Sequence, residues 1–316
     1  MEPLRISLFG VFEAEYEGEK LDAFRSCKEQ QLFSYLVLYA GRRHPREKLA
    51  CILAEPWEAS PSRAYLRKVL WQLQQDLAIL GGAEPSPLRV EREWIQFVLD
   101  ERIWVDVVAF EQAYAAVKGK PGYVLNTEHV RQLEAAVRLY KGDLLETCYK
   151  HWCVHEQQRL NHLYLVMLDK LMSACEVQHQ YEQGISYGQR ILSCDEAREQ
   201  THRKLMRLYY LAGERTAALR QYERCIAQLK EQLDVLPAEP TTVLYQYICA
   251  DNKAAIRSEP FAADGAFSIP ADHALKIMLP SGNFGNLDEL RAGLLSLQRH
   301  TQEVLQFVEL KLESFT

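Results

Sequence analysis

The side chains best suited to binding chemistry lie on one face of a helix predicted from about residue 60 to residue 80. Its apolar stripe, spaced for burial, consists of Leu66, Leu70, Leu73 and Leu77. At about 100° per residue, the opposite face carries Lys68, Gln72 and Gln75, with Arg63 and Arg67 at its edges. Amide and ammonium groups can hydrogen-bond base edges in a DNA major groove, and guanidinium groups bind phosphate or guanine. The face therefore predicts a DNA-recognition helix, although an ordinary solvated helix face has a similar composition.

The segment around this helix is more basic than the chain as a whole. Residues 25–92 contain eleven Lys or Arg and seven Asp or Glu, whereas the 316-residue chain has a formal net charge of −6. A surface that binds nucleic-acid phosphates needs such a local excess of cations. Trp71 lies on the polar face of the helix, where we expect it to pack against a neighbouring element rather than to contact DNA.

The elements that must position this helix predict a winged helix-turn-helix with additional strands at its N-terminus. Residues 4–17 alternate between apolar and polar side chains, which indicates a short antiparallel hairpin. A helix over 27–40 ends at Gly41, and a second, short helix begins at Pro45. After the third helix, residues 88–99 form a hairpin that we interpret as the wing. Its Arg89 and Arg92 are expected to contact phosphates, although Arg92 stands between two glutamates.

The second half of the chain is predicted to be helical throughout, so the fold class is mainly α with a small β component. The predicted helices span 106–118, 127–141, 149–179, 181–193, 197–212, 214–233 and 240–250. Residues 170–172 (KLM) recur at 204–206, and Ile185 corresponds to Leu219. This offset of 34 residues is the period of a tetratricopeptide helix pair. The sequence thus predicts a tetratricopeptide-like helical repeat domain.

The last part of the chain divides into a linker and one further helix. Residues 251–286 are rich in Pro and Gly, whereas 287–314 return to a strong helical pattern. Steps of three and four residues, interrupted only by the polar Thr301, place an apolar seam along this helix at Leu287, Leu290, Leu294, Leu297, Val304 and Val308. The seam fits a homodimerising coiled coil, but further apolar residues beside it also fit a helix packed on its own domain.

Several classes of protein are disfavoured by the sequence. The N-terminus resembles no secretion signal, and no apolar run reaches the length of about 18 residues needed to cross a membrane. The eight cysteines are scattered, which predicts reduced thiols in the cytoplasm. Cys148, His151, Cys153 and His155 fit no closed zinc-site spacing. No catalytic motif is present, so we expect no enzyme activity, no metal and no cofactor.

Several segments resemble the antibiotic regulatory protein (SARP) family of bacterial activators. RAYLRKVLWQL at 63–73 is similar to the family's recognition helix, and LEAAVRLYKGDLL at 133–145 is similar to the hallmark of its bacterial transcriptional activator domain. Trp152 with EQQRL at 156–160, and LDVLPAEPT at 233–241, match later signatures of that domain. The resemblance covers about residues 4–250.

The resemblance implies a winged-helix DNA-binding domain over 1–100 and a bacterial transcriptional activator domain over 101–250. It also implies an activator that binds double-stranded DNA at repeated sites, commonly as a homodimer, and recruits RNA polymerase. The family helix often carries several Arg near its end, where this chain has Gln72, Gln74 and Gln75. Fewer cations predict weaker non-specific binding and a shallower dependence on salt.

Two other interpretations remain open from the sequence. In the first, the winged helix is degenerate and the helical repeats form a protein-interaction scaffold; the glutamine-rich helix and the negative net charge favour it. In the second, the helical repeats or residues 251–316 bind a small-molecule effector that switches the regulator, although no residue pattern names that ligand.

Overall fold

The computed structural model describes residues 3–21, 24, 26–54, 63–78 and 86–258. Within these ranges the strands are Leu4–Ser7 (β1), Glu13–Tyr16 (β2), Glu19–Lys20 (β3), His44–Pro45 (β4), Leu88–Val90 (β5), Trp94–Phe97 (β6) and Ile103–Val105 (β7). The first helices are Cys27–Leu38 (α1), Arg46–Leu53 (α2), Arg63–Leu77 (α3), Asp106–Val117 (α4) and Thr127–Leu139 (α5). They are followed by His151–Val177 (α6), Tyr181–Leu192 (α7), Glu199–Leu211 (α8), Arg215–Leu233 (α9), Glu239–Cys249 (α10) and Lys253–Ser258 (α11). None of the helices in the described ranges is long and apolar enough to cross a lipid bilayer.

The strands form two small sheets, in the orders β3-β2-β1-β7 and β4-β6-β5. The predicted N-terminal hairpin is confirmed, because β1 pairs with β2 in antiparallel register, with Ile6 opposite Ala14. Residues 103–105 lie just before the first helix predicted for the second half of the chain and were assigned no element from the sequence. They form β7, which pairs in parallel with β1 and places Val105 opposite Ile6. A strand of three residues is too short to show a recognisable alternation of apolar and polar side chains, so it is identified only once its pairing partner is known.

The predicted order of three helices and a closing hairpin is confirmed for the winged helix. The leucine stripe of α3 is buried, with Leu66 1% exposed and Leu73 fully covered. It packs against α1 and α2. Strands β5 and β6 form the wing hairpin, whose register places Val90 opposite Ile95. The same packing that buries one face of α3 leaves the opposite face free for solvent or a ligand.

Backbone contacts connect the winged helix to the helices that follow it. The buried carboxylate of Asp106, at the start of α4, accepts hydrogen bonds from the backbone N–H groups of Leu8 at 2.9 Å and Phe9 at 3.0 Å. The backbone N–H of Leu145 donates to the carbonyl of Leu8 at 2.8 Å. Leu145 belongs to the LEAAVRLYKGDLL segment. The segment therefore has a structural role, since its end pairs with the residues that directly follow β1.

Helices α6 to α9 stack in sequence as a helical repeat array. Positions 34 residues apart fall on equivalent helices: Ile185 lies in α7 and Leu219 in α9. Helix α7 approaches its neighbours closely at Gly188, where a Cβ would lie 2.6 Å from Leu205 and 2.8 Å from Met172. Each helix pair buries its apolar face against the next pair. The buried residues of the array form two clusters, one that includes Leu205 and Leu208 and is shared with the winged helix, and a second around Met206, Ala218 and Leu244.

The C-terminal predictions fall mostly outside the described residues. Helix α11 occupies the beginning of the segment assigned to the linker, and its Ile256 is fully buried. The remainder of that segment, the helix predicted over 287–314 and all six seam positions from Leu287 to Val308 lie outside the described ranges. Dimerisation through that seam stays a prediction, as does the domain boundary placed at residue 100.

Candidate nucleic-acid interface

Most of the polar face predicted on α3 is open to solvent. Arg63, Arg67, Lys68 and Gln75 are exposed, and Gln72 is half-buried. Since the leucines on the other side are held in the core, the helix has a fixed orientation toward solvent. An α-helix presented in this way can enter a major groove, where amide and ammonium groups reach base edges.

Trp71 corrects one of the sequence predictions. We expected this side chain to pack against a neighbouring element, but it is 61% exposed. Trp71 lies on the same face as Lys68 and Gln75. The expectation failed because α3 packs into the core through its leucine face, which lies opposite Trp71. Tyr65, one turn and a half earlier, is also 40% exposed. Large exposed aromatic side chains beside cations are typical of surfaces that bind another macromolecule.

Four arginines surround an open groove between the wing and the start of α3. The groove has a volume of about 630 Å³ and is lined by Arg43, Arg46, Arg63 and Arg92, together with Pro45, Glu47, Glu93 and Trp94. The guanidinium of Arg43 lies 4.5 Å from the ring centre of Trp94, and the Nε of Arg46 donates to the carbonyl of Glu91 at 3.0 Å. Four cations and two carboxylates leave the groove positively charged.

The sequence interpretation missed Arg43 and Arg46. The signal was present as three arginines, at 42, 43 and 46, immediately before and at the start of α2. Their relation to Arg92 depends on β4 pairing with β6, which places Pro45 opposite Trp94. Arg92, which was predicted to contact phosphate, therefore lies in a cluster of arginines rather than alone between two glutamates. Arg89 is exposed on β5 and does not line the groove.

The cations of the groove can exchange their partners for phosphate. Arg63 pairs with Glu47 at 2.6 Å, with both side chains mostly exposed. Exposed ion pairs of this kind contribute about 0–1 kcal/mol because water screens them. A phosphate oxygen can replace the carboxylate at little cost, so this ion pair does not block an anion.

A pair of carboxyl groups holds α3 to α1 behind the open face. Asp76, near the end of α3, accepts a hydrogen bond from the backbone N–H of Phe24 at 2.7 Å. Glu29 of α1 is 3% exposed and shares a hydrogen bond with Asp76. Burial, followed by the hydrogen bond and charge of Asp76, raises the pKa of Glu29 to about 7. Glu29 is therefore protonated over much of the acidic pH range and donates to Asp76.

The cysteine and histidine cluster noted in the sequence separates in the structure. Cys148 and Cys153 are buried, whereas His151 and His155 are exposed. Across the part of the chain that the structure describes, no group of three or more His, Cys, Asp or Glu side chains is arranged to hold a metal ion.

Comparison with known proteins assigns the helical part of the chain. Residues 105–249 match the family described as bacterial transcriptional activator domain. No curated protein sequence matches the chain. The solved structure of Mycobacterium tuberculosis EmbR in complex with a low-affinity phosphopeptide is similar over 79% of this chain, with a TM-score of 0.68 and 19% sequence identity.

The two comparisons agree with the order of elements described above. This chain spans 66% of the EmbR chain, a little under two thirds of its length, so the likeness concerns the fold. The fold it indicates is a winged helix followed by a helical repeat domain. The chain thus carries a bacterial transcriptional activator domain over residues 105–249, in a fold similar to that of EmbR.

Proposed function

We propose that this protein is a cytoplasmic, sequence-specific DNA-binding regulator that activates transcription without enzyme activity of its own. The observation that carries the proposal is the exposed polar face of α3, because the leucines on the opposite side of the helix are buried in the core and fix its orientation. Lys68, Gln72 and Gln75 contact base edges in this proposal, since these residue types can read a major groove.

Phosphate contacts are assigned to the arginines around α3. Arg63, Arg67, Arg89 and Arg92 were expected from the sequence, and the groove adds Arg43 and Arg46. Backbone phosphates make up most of the charge that a DNA-binding protein neutralises, and they orient the helix before bases are read. Arg63 and Arg92 border the same groove, so one stretch of backbone can contact both.

The helical repeat domain supplies the second half of the proposed activity. It contacts RNA polymerase directly or transmits the state of a bound effector to the winged helix. The bonds of Asp106 to Leu8 and Phe9 support a stiff connection between the two parts. Pairing of two chains through 287–308 would match repeated DNA sites, and a small-molecule effector would make the regulator switchable.

Selection of bound fragments from genomic DNA tests the proposal. We expect the wild-type chain to enrich a repeated motif, and Arg67→Ala and Lys68→Ala to reduce its affinity for that motif. Arg131→Ala is the matched control, because Arg131 is an exposed arginine of α5 paired with Glu128. The proposal fails if no sequence is enriched, or if Arg131→Ala weakens binding as much as Arg67→Ala.

One observation favours a second candidate, a protein-interaction scaffold with a degenerate winged helix. Trp71 is 61% exposed on a glutamine-rich face, and such a surface also suits a protein partner. Affinity capture that returns one stable protein partner, lost on Trp71→Ala, together with no salt-sensitive DNA affinity, would select this candidate over the first.

A further inference from the structure

The exposed side of α3 has an aromatic side chain near its middle. Four exposed residues at steps of four, three and four project from the side of the helix opposite the buried leucines: Ala64, Lys68, Trp71 and Gln75. Gln72, which lies beside this ridge, is half-buried. Trp71 therefore occupies the exposed ridge between Lys68 and Gln75, the two side chains best placed to contact bases.

A duplex that contacts both Lys68 and Gln75 must also cover Trp71. The rise of an α-helix places Trp71 about 4.5 Å from Lys68 and about 6 Å from Gln75 along the helix axis. Successive bases of one strand are separated by about 3.4 Å, so a base edge falls between the two polar contacts and meets the indole ring. Because this ring is 61% exposed in the free protein, the contact removes apolar surface from water.

The indole of Trp71 matches one base better than the other three. It offers a flat apolar surface and a single hydrogen-bond donor, its Nε1–H, and it has no acceptor. In the major groove, thymine presents the acceptor O4 beside an apolar methyl group. Guanine presents acceptors without an apolar group, cytosine presents a donor, and adenine presents one of each. The edge of thymine is therefore the complement of the indole.

The charges around Trp71 favour a polyanion as the molecule that covers it. Arg67 and Lys68 are exposed within one turn of the indole. Asp76 is the one acidic residue between positions 63 and 77, and its carboxylate accepts a hydrogen bond from the backbone N–H of Phe24 on the side of α1. The surface beside Trp71 is thus positively charged, as contact with DNA phosphates requires.

We propose that Trp71 determines a preference for thymine at one position of the DNA site. Its ring covers the C5-methyl group of that thymine, and its Nε1–H donates to O4. The thymine lies between the base pairs that Lys68 and Gln75 contact. This inference rests on the proposed binding of α3 in the major groove and adds a base preference that the lysine and the glutamines do not supply.

Removal of single methyl groups from the DNA tests the proposal. In the duplex selected by the wild-type chain, each thymine in turn is replaced by deoxyuridine, which lacks the C5-methyl group and retains O4. We expect one thymine in each repeat of the motif at which this replacement lowers affinity about fourfold, the factor that corresponds to the burial of one methyl-sized group. Trp71→Ala should bind the two duplexes equally. Gln74→Ala is the matched control, because Gln74 is an exposed side chain of α3 beside the ridge, and it should keep the wild-type ratio.

The outcomes separate this proposal from the proposed function. If the selection enriches a motif but no thymine shows a methyl effect, or if the effect persists in Trp71→Ala, DNA binding stands and the role of Trp71 is wrong. If no DNA is enriched and a protein partner is captured through Trp71 instead, both proposals are wrong.

Photocrosslinking identifies the contacting side chain in the wild-type chain itself. The thymine found by the deoxyuridine series is replaced by 5-iodouracil, which carries iodine in place of the methyl group and crosslinks to aromatic rings on irradiation. We expect mass spectrometry to locate the crosslink at Trp71. A crosslink at Tyr65 or another residue in its place would contradict the proposal, and this result does not depend on how tightly Trp71→Ala binds DNA.

Discussion

The hydroxyl of Tyr39, directly after α1, donates a 2.7 Å hydrogen bond to the carboxylate of Glu156 in α6, 117 residues later in the sequence. Glu156 is itself buried and pairs with Arg159 at 2.6 Å. Burial, followed by the neighbouring Glu156, raises the pKa of Tyr39, so its hydroxyl remains a donor throughout the physiological range. The winged helix and the bacterial transcriptional activator domain thus share a buried polar contact in addition to their apolar core.

Replacing Tyr39 by phenylalanine tests how much this contact stabilises the protein. Tyr39→Phe leaves a buried carboxylate oxygen without its donor, so we expect the free energy of unfolding to fall by about 1–2 kcal/mol. Urea denaturation measures the change. The matched control is Tyr123→Phe, because Tyr123 is 39% exposed. Equal stability losses in the two variants would show that the contact with Glu156 contributes nothing specific.

The acid pair behind α3 predicts a dependence of stability on pH. Glu29 has its pKa raised from 4.5 to about 7, so the folded state holds a proton that the unfolded state loses first. The free energy of unfolding should therefore decrease as pH rises from about 4.5 to about 7, by linkage. Glu29→Gln keeps a donor for Asp76 at every pH and should flatten this decrease, as measured by urea titrations at pH 5 and pH 8.

Glu101→Gln serves as the control for that experiment, because Glu101 is exposed. Its pH profile should follow the wild type. If Glu29→Gln and the wild type lose the same stability between pH 5 and pH 8, the proton shared with Asp76 is not the cause.

The arginine groove predicts different effects on DNA affinity from those of the α3 glutamines. Arg43→Ala removes a cation from the groove, so binding should weaken equally for all sequences and the slope of log K against log salt should fall by about 0.9 for each lost phosphate contact. Gln72→Ala should instead relax the preference at one base pair, by about 1–3 kcal/mol. Titrations at several salt concentrations with the selected motif and a scrambled one distinguish the two. An unchanged salt slope for Arg43→Ala would remove the groove from the DNA-binding surface.

Close packing of α7 predicts a penalty for a single methyl group. A Cβ at position 188 would lie within 2.8 Å of both Leu205 and Met172, which are themselves fully buried and have little room to move. Overpacking costs about 1–3 kcal/mol, whereas replacing Gly by Ala within a helix gains about 1 kcal/mol. We expect Gly188→Ala to lower the free energy of unfolding on balance.

Gly184→Ala provides the comparison, since its Cβ would meet Leu208 at 3.1 Å and Cys175 at 3.2 Å. The smaller clash should be offset by the gain in helix propensity, so its stability should stay near the wild-type value. A Gly188→Ala protein more stable than Gly184→Ala in thermal unfolding would contradict the close approach of α7 to α6 and α8.

The sequence by itself determined the features that depend on local periodicity. The leucine spacing in α3 specified which face is buried, and therefore which face carries Lys68, Gln72 and Gln75, because the helical repeat of about 3.6 residues is a local property. The same reasoning identified the wing hairpin and the succession of helices after residue 105, and the resemblance in 133–145 identified the activator domain.

Only the tertiary structure decided the relations between residues distant in sequence. The parallel pairing of β7 with β1, the exposure of Trp71 and the grouping of Arg43 with Arg92 all depend on which surfaces come into contact when the chain folds. Local periodicity carries no information about these contacts, because long-range packing and backbone pairing between separate segments determine them.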